Sequence, residues 1–163
     1  MSDPNFWRTE VWHPLTVHFP IALLLFATIF KLVSLFIRQT KDTFWQRTAA
    51  VMLYFGCLGA WVSIYTGDLA DGIVSRNLCD PTVLKQHEIA AYNLAYLFSA
   101  ATVLDLGQRL NLIRFKPKGI HLVVTLLMLV GIWFLIRAGH SGAEVVYEQA
   151  GGVLVPTADC AGF

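Results

Sequence analysis

The sequence is poor in charged residues. Asp, Glu, Lys and Arg make up 14% of its 163 residues, whereas a soluble domain carries about 25%. Hydrophobic residues account for 56% of the chain and the mean hydropathy is +0.57, so the composition indicates a membrane protein. The formal net charge is +1. So small a net charge gives no reason to expect a nucleic-acid partner.

The signatures of several enzyme classes are also missing. The sequence contains no HExxH metal site, no CxxCH for covalent haem, no phosphate-binding glycine loop and no GxSxG nucleophile elbow. No internal repeat, low-complexity tract or cleavable signal peptide is apparent. The length is that of one domain, which we place over residues 1–163.

What the sequence does contain is four apolar segments, at about 15–37, 48–66, 87–106 and 119–138. Each is close to the ~20 residues that cross a bilayer as a helix. Because the connections are short, neighbouring helices should be antiparallel. We therefore predict an all-α integral membrane protein, an up-down-up-down four-helix bundle with a C-terminal tail outside the membrane.

The second and third segments carry small or polar side chains. In the second, small residues fall on or near one face, which favours close helix packing or, as a second interpretation, room for a flat cofactor: Gly56, Gly59, Ala60, Ser63 and Gly67. The third is the most polar of the four segments. We expect the other helices to shield most of its polar side chains, which are Tyr92, Asn93, Tyr96, Ser99 and Thr102.

Basic residues cluster in the first and third connections, and Lys31 lies just inside the first helix. Those in or next to the connections are Arg38, Lys41, Arg47, Arg109, Arg114, Lys116 and Lys118. The positive-inside rule places these two connections in the cytoplasm. Both termini and the middle connection then lie outside the cytoplasm. Cys79 and Cys160 would share that oxidising compartment, which favours a disulfide between them.

Four of the five histidines fall at the predicted outer ends of helices. His13 and His18 open the first segment, His87 leads the third and His140 ends the fourth, whereas His121 lies at the opposite end. A polar side chain within an apolar helix needs a partner. We therefore expect His18, about one turn inside the first segment, to be the strongest ligand candidate and His13 the weakest. The candidate acceptors for imidazole N–H groups are the acids of the same side, Asp68, Asp71, Glu88 and Glu144.

Imidazole suits haem iron, copper and zinc. A b-type haem needs two axial histidines from facing helices, and the four histidines of the outer side are enough for one or two haems. Arg137 is the candidate partner of the haem propionates. His13 and His18 are five residues apart, ~140° around an ideal helix, and this separation favours haem over a compact metal centre. A copper or zinc site built from His13, His18, His87 and His140 remains the alternative.

The opening stretch, residues 13–24 with the sequence HPLTVHFPIALL, resembles that of a bacterial membrane family, domain of unknown function 2231. Members also have four helices, a histidine leading the third helix and a Gly-His-x-Gly ending to the fourth, which match His87 and residues 139–142 here. Many relatives continue with a Val-Tyr-x-His stretch, where this chain has Gln149 in place of the histidine. Because members occur fused to or beside Rieske iron–sulfur and cytochrome c domains, the resemblance implies a redox setting in a bacterial plasma membrane.

These observations lead to one principal hypothesis. The chain is expected to be an electron-transfer membrane cytochrome, an electron carrier or redox-complex subunit rather than a stand-alone enzyme, since iron with two histidine ligands has no open coordination position. Its expected partners are the lipid bilayer, an extracytoplasmic cytochrome c or Rieske-type protein, and quinone on the membrane side. The alternatives are a copper- or zinc-dependent membrane protein and a structural subunit of a membrane redox complex.

Overall fold

The computed structural model describes residues 8–37, 44–113 and 115–153. Within them the chain forms four α-helices and one short 3₁₀ helix, Ser75–Asn77, and the predicted all-α bundle is confirmed. Helix α1 spans Thr9–Phe36, α2 Phe44–Val74, α3 Pro81–Arg109 and α4 Pro117–Tyr147. All four helices are long and apolar enough to cross a membrane.

Each helix is longer than the apolar segment that predicted it. Helix α1 begins at Thr9, six residues before the predicted start, so Pro14 as well as Pro20 lies inside the helix. Helix α4 ends at Tyr147, beyond the predicted 138. An apolar segment marks only the part of a helix that suits hydrocarbon, and a helix can continue with polar residues past that limit.

The bundle consists of two hairpins of antiparallel helices. We call α1 with α2 the first hairpin and α3 with α4 the second; packing within each hairpin is much more extensive than packing between them. The centre is filled by fully buried side chains from all four helices, which are Leu24, Leu53, Phe98, Val124 and Met128. Because lipid tails are as apolar as these residues, van der Waals contact rather than exclusion of water holds them together.

The small residues of α2 serve the packing of the first hairpin. A Cβ atom added at Gly56 would lie 2.7 Å from Leu24 Cδ2, and one added at Gly59 would lie 3.3 Å from Pro20 Cβ. This face is therefore covered by α1, as the interpretation of close packing predicted. The room that Gly59, Ala60 and Ser63 were expected to offer a flat cofactor is occupied at Gly59 by Pro20.

The polar face of α3 is less shielded than the sequence led us to expect. Tyr96 is 58% exposed, and the other four predicted residues are only partly buried. Trp61 of α2 covers part of this face, with its indole Nε1 donating to Ser99 Oγ at 2.9 Å. The two hairpins pack against each other less extensively than the two helices within each hairpin do. Tyrosine side chains therefore remain at the surface where α2 meets α3.

Two predictions rest on terminal or connecting residues. Cys79 is exposed just after α2, but Cys160 lies outside the described residues, so the disulfide between them stays a prediction. The basic residues Arg38, Lys41 and Arg114 also lie outside the described residues, so their predicted cytoplasmic placement stays a prediction.

Candidate functional site

His13 packs against the backbone of α2. Its Nδ1 donates a hydrogen bond to the carbonyl oxygen of Ser63 at 2.9 Å. The ring lies so close to Gly67 that a Cβ atom there would be 3.1 Å from Nδ1. His13 is half-buried. Its side chain is held by the hydrogen bond to Ser63 and by the packing of its ring against Gly67.

His87 repeats this arrangement in the second hairpin. Its Nδ1 donates to the carbonyl oxygen of Ala138 in α4 at 2.8 Å, and a Cβ atom at Gly142 would lie 3.0 Å from the ring atoms Nδ1 and Cε1. Each hairpin thus holds one imidazole by the same two contacts, a hydrogen bond to a main-chain carbonyl and close packing against a glycine.

The two imidazoles meet where the hairpins face each other. The ring centroids of His13 and His87 are 5.9 Å apart and the ring planes are nearly perpendicular, at 84°. A carbonyl oxygen can only accept a hydrogen bond, so Nδ1 carries the proton in both rings. In a neutral imidazole the lone pair is then on Nε2. A histidine that binds a metal through Nε2 has this same tautomer, with its Nδ1–H in a hydrogen bond.

The surroundings of His13 include an unsatisfied polar group. The buried hydroxyl of Ser63, the residue whose carbonyl holds His13, has no hydrogen-bond partner among the described residues. One turn away, the hydroxyls of Thr16 and Thr66 bond each other at 2.9 Å. The Ser63 hydroxyl is thus a buried hydrogen-bonding group that the described side chains leave unused.

The structure does not bring the other two predicted histidines into this pair. His18 is exposed on α1. The His140 side chain is 76% exposed, and its Nε2 lies 3.1 Å from Glu144 Oε1. Arg137, His140 and Glu144 instead line an open groove of ≈ 560 Å³ between α3 and α4, together with the aromatic side chains of Trp133 and Phe134.

We expected His18 to be the stronger ligand candidate and His13 the weaker, but His13 is the more buried of the two. The earlier start of α1 at Thr9 puts His13 a full turn inside the helix, and the ~140° between the two residues turns His18 away when His13 faces inward. The expected acidic acceptors are likewise replaced, for His13 and His87, by main-chain carbonyls. Among the described residues, only His140 lies beside one of the acids that the sequence suggested, Glu144.

Sequence reasoning missed a second cluster, at the other end of the bundle. Lys31 Nζ lies 2.6 Å from Asp105 Oδ1, and the two residues are only 2% and 4% exposed. Tyr54 Oη and Arg109 Nε both donate to Asp105 Oδ2, at 2.7 and 2.8 Å. The available signal was a pair of opposite charges within apolar segments, since such residues in a membrane are normally paired.

The donor set around the two imidazoles is small. Among the described residues there is no group of three or more His, Cys, Asp or Glu side chains placed to hold one metal ion. His13 and His87 are thus two neighbouring imidazoles that no third His, Cys, Asp or Glu side chain joins within the described part of the chain.

Comparison with known proteins gives a family and no further relative. Residues 10–154 match the family model described as "Predicted membrane protein (DUF2231)". No curated protein matches the sequence, and no solved structure matches it.

Proposed function

The chain belongs to the DUF2231 family of membrane proteins, and we propose that it is a b-type cytochrome that binds haem between His13 and His87 and transfers electrons. One observation carries the proposal: two imidazoles from facing hairpins, each with Nδ1 bonded to a helix carbonyl, lie 5.9 Å apart between the hairpins. The other haem ligands expected from sequence, His18 and His140, are exposed, so we assign one haem to this pair.

The number of available ligands supports haem over zinc. A porphyrin supplies four nitrogen ligands itself and needs only two axial residues from the protein. A structural zinc ion usually takes four protein ligands and a catalytic one three, and no such group occurs among the described residues. Two imidazoles are sufficient for haem and insufficient for either kind of zinc site.

The distance also fits. The ring centroids of His13 and His87 are 5.9 Å apart, so both imidazoles could hold the same metal-bearing group between the hairpins. The unpartnered hydroxyl of Ser63 belongs to the same residue as the carbonyl that anchors His13 and would be available to a bound group.

Haem bound in this way would supply a one-electron carrier with no open iron position. The residues of the chain hold the two imidazoles in the correct tautomer through the carbonyls of Ser63 and Ala138, which stiffens the ligand geometry. Arg137 directly precedes Ala138 and is our candidate for binding a propionate.

The proposed setting is a bacterial plasma membrane with both termini and the His13 end outside. The basic residues near the opposite end, including Arg47 and Lys118, support this orientation through the positive-inside rule. An extracytoplasmic cytochrome c or Rieske-type protein would then exchange electrons at the His13 end. The groove lined by Arg137, His140 and Glu144 is our candidate entry for quinone, since it combines aromatic walls with an acid–base pair.

The test is a visible spectrum of the protein purified in detergent from haem-replete cells, with iron and copper quantified in the same sample. We expect a Soret band that shifts on reduction, with iron in proportion to haem. His13→Ala and His87→Ala should each lose most of the haem, whereas His18→Ala should keep it, because His18 is exposed.

Three results would contradict the proposal. A preparation with copper but without haem would favour the copper alternative, and a colourless, metal-free preparation would favour a structural subunit. Equal haem loss in His18→Ala and His13→Ala would show that the pair identified here is not the binding site.

A further inference from the structure

The two hairpins use equivalent positions for equivalent contacts. Residues of α1 correspond to residues 74 positions later in α3, the separation of Lys31 and Asp105; His13 likewise corresponds to His87. Residues of α2 correspond to residues 75 positions later in α4, as Gly67 does to Gly142. The anchoring carbonyls of Ser63 and Ala138 fit the same correspondence.

The correspondence extends through the core. Leu24 packs where Gly56 lacks a side chain, and its equivalent Phe98 packs where Gly131 lacks one, with added Cβ atoms at 2.7 and 2.6 Å from the two side chains. Ala27 and its equivalent Ala101 are both fully buried. The hairpins are therefore two versions of one structural unit.

Two contacts join a residue to its own equivalent. His13 meets His87, and Lys31 meets Asp105. In a two-fold arrangement, only residues next to the axis can meet their own equivalents. Because these contacts lie 18 residues apart along α1, they place a pseudo-two-fold axis along the length of the bundle.

The two axial contacts differ in what they allow. The His13–His87 contact is the same whichever two hairpins pair. The Lys31–Asp105 contact is complementary only when a first hairpin meets a second one. Two first hairpins would bury two lysines face to face, and two second hairpins would bury two aspartates, and like charges at such a contact repel strongly.

We propose that the protein is a duplicated helix hairpin, and that Lys31 and Asp105 are the positioning pair that makes unlike hairpins associate and so brings one imidazole from each into the site. The partner surface of each hairpin is thus the other hairpin of the same chain. This inference does not depend on which ligand the imidazoles bind.

The experiment uses two full-length copies with different affinity tags, one carrying K31D and the other D105K. Each variant alone places like charges at the axis. In an exchanged dimer every lysine again meets an aspartate, so we expect the two tags to co-purify at least tenfold more than in a pair of unsubstituted copies. The double variant K31D/D105K restores opposite charges at the axis and should unfold at a higher temperature than either single variant, but below the unsubstituted protein because Tyr54 and Arg109 lose their acceptor.

Matched controls are K85E and E88K, which reverse the exposed ion pair of α3 and should not cause co-purification. The proposal is overturned if K31D and D105K copies co-purify no more than unsubstituted copies, or if the double variant is no more stable than the single ones. Because rescue is measured in combination, misfolding of either single variant alone leaves the test intact.

Discussion

Asp105 accepts hydrogen bonds from three helices at once, and its shortest contact joins Oδ1 to Lys31 Nζ at 2.6 Å. The carboxylate therefore neutralises a lysine that is buried inside the bundle, at 2% exposed. Asp105→Asn would leave that lysine without its counter-charge. We expect a loss of about 3–5 kcal/mol in the free energy of unfolding, the usual effect of removing one partner of a buried pair, measured by denaturation in detergent.

Its control is Glu88→Gln, which removes a partner from an exposed pair and should leave unfolding unchanged, because exposed ion pairs contribute little. Equal behaviour of the two variants would mean that the Lys31–Asp105 contact is not buried as described.

Tyr54 is a further donor to Asp105, with its hydroxyl at 2.7 Å. Tyr54→Phe keeps the ring and removes that hydrogen bond to a charged group, for which we expect a cost of about 1.5–3 kcal/mol. In the Asp105→Asn background the same change should cost much less, because the charged acceptor is gone. Additive effects in this double-mutant cycle would argue against a direct bond.

The glycines beside the two imidazoles are testable as part of the site. Gly142→Ala would place a Cβ 3.0 Å from the His87 ring, and Gly67→Ala one 3.1 Å from that of His13. Each ring must then shift, and we expect a several-fold loss of bound haem in both variants. Gly139→Ala is the control in α4, since no atom lies within 4 Å of its added Cβ; haem loss there would point to a general effect on the helix.

Phe98 fills the space left by Gly131, where an added Cβ would lie 2.6 Å from its ring. Gly131→Ala should overpack the core and destabilise the protein by about 1–3 kcal/mol, measured as a lower unfolding temperature in detergent. Gly119→Ala, in the same helix but with open space around its Cβ, should be neutral or stabilising, because alanine favours helix more than glycine does. A neutral Gly131→Ala would show that the contact between α3 and α4 is looser than described.

Much of the fold could be predicted because apolar segments of bilayer length have few alternatives to helices. Their ends could not, since helices such as α1 and α4 continue with polar residues beyond the apolar part. The repeat was also not apparent, because several equivalent positions are filled by different residues, as Leu24 by Phe98 and Lys31 by Asp105, and only some, such as His13 and His87, by the same one. Packing preserves shape and burial at such positions while allowing the residue type to change.

The sequence by itself determined that the chain is a four-helix membrane protein with most of its histidines in the same region. Only the tertiary structure decided that His13, and not His18, faces His87. That choice depends on how α1 is rotated about its axis, and the carbonyls of Ser63 and Ala138 that hold the rings are main-chain groups that every residue possesses. Residue types therefore indicated which ligands were available, and helix packing selected which two of them meet.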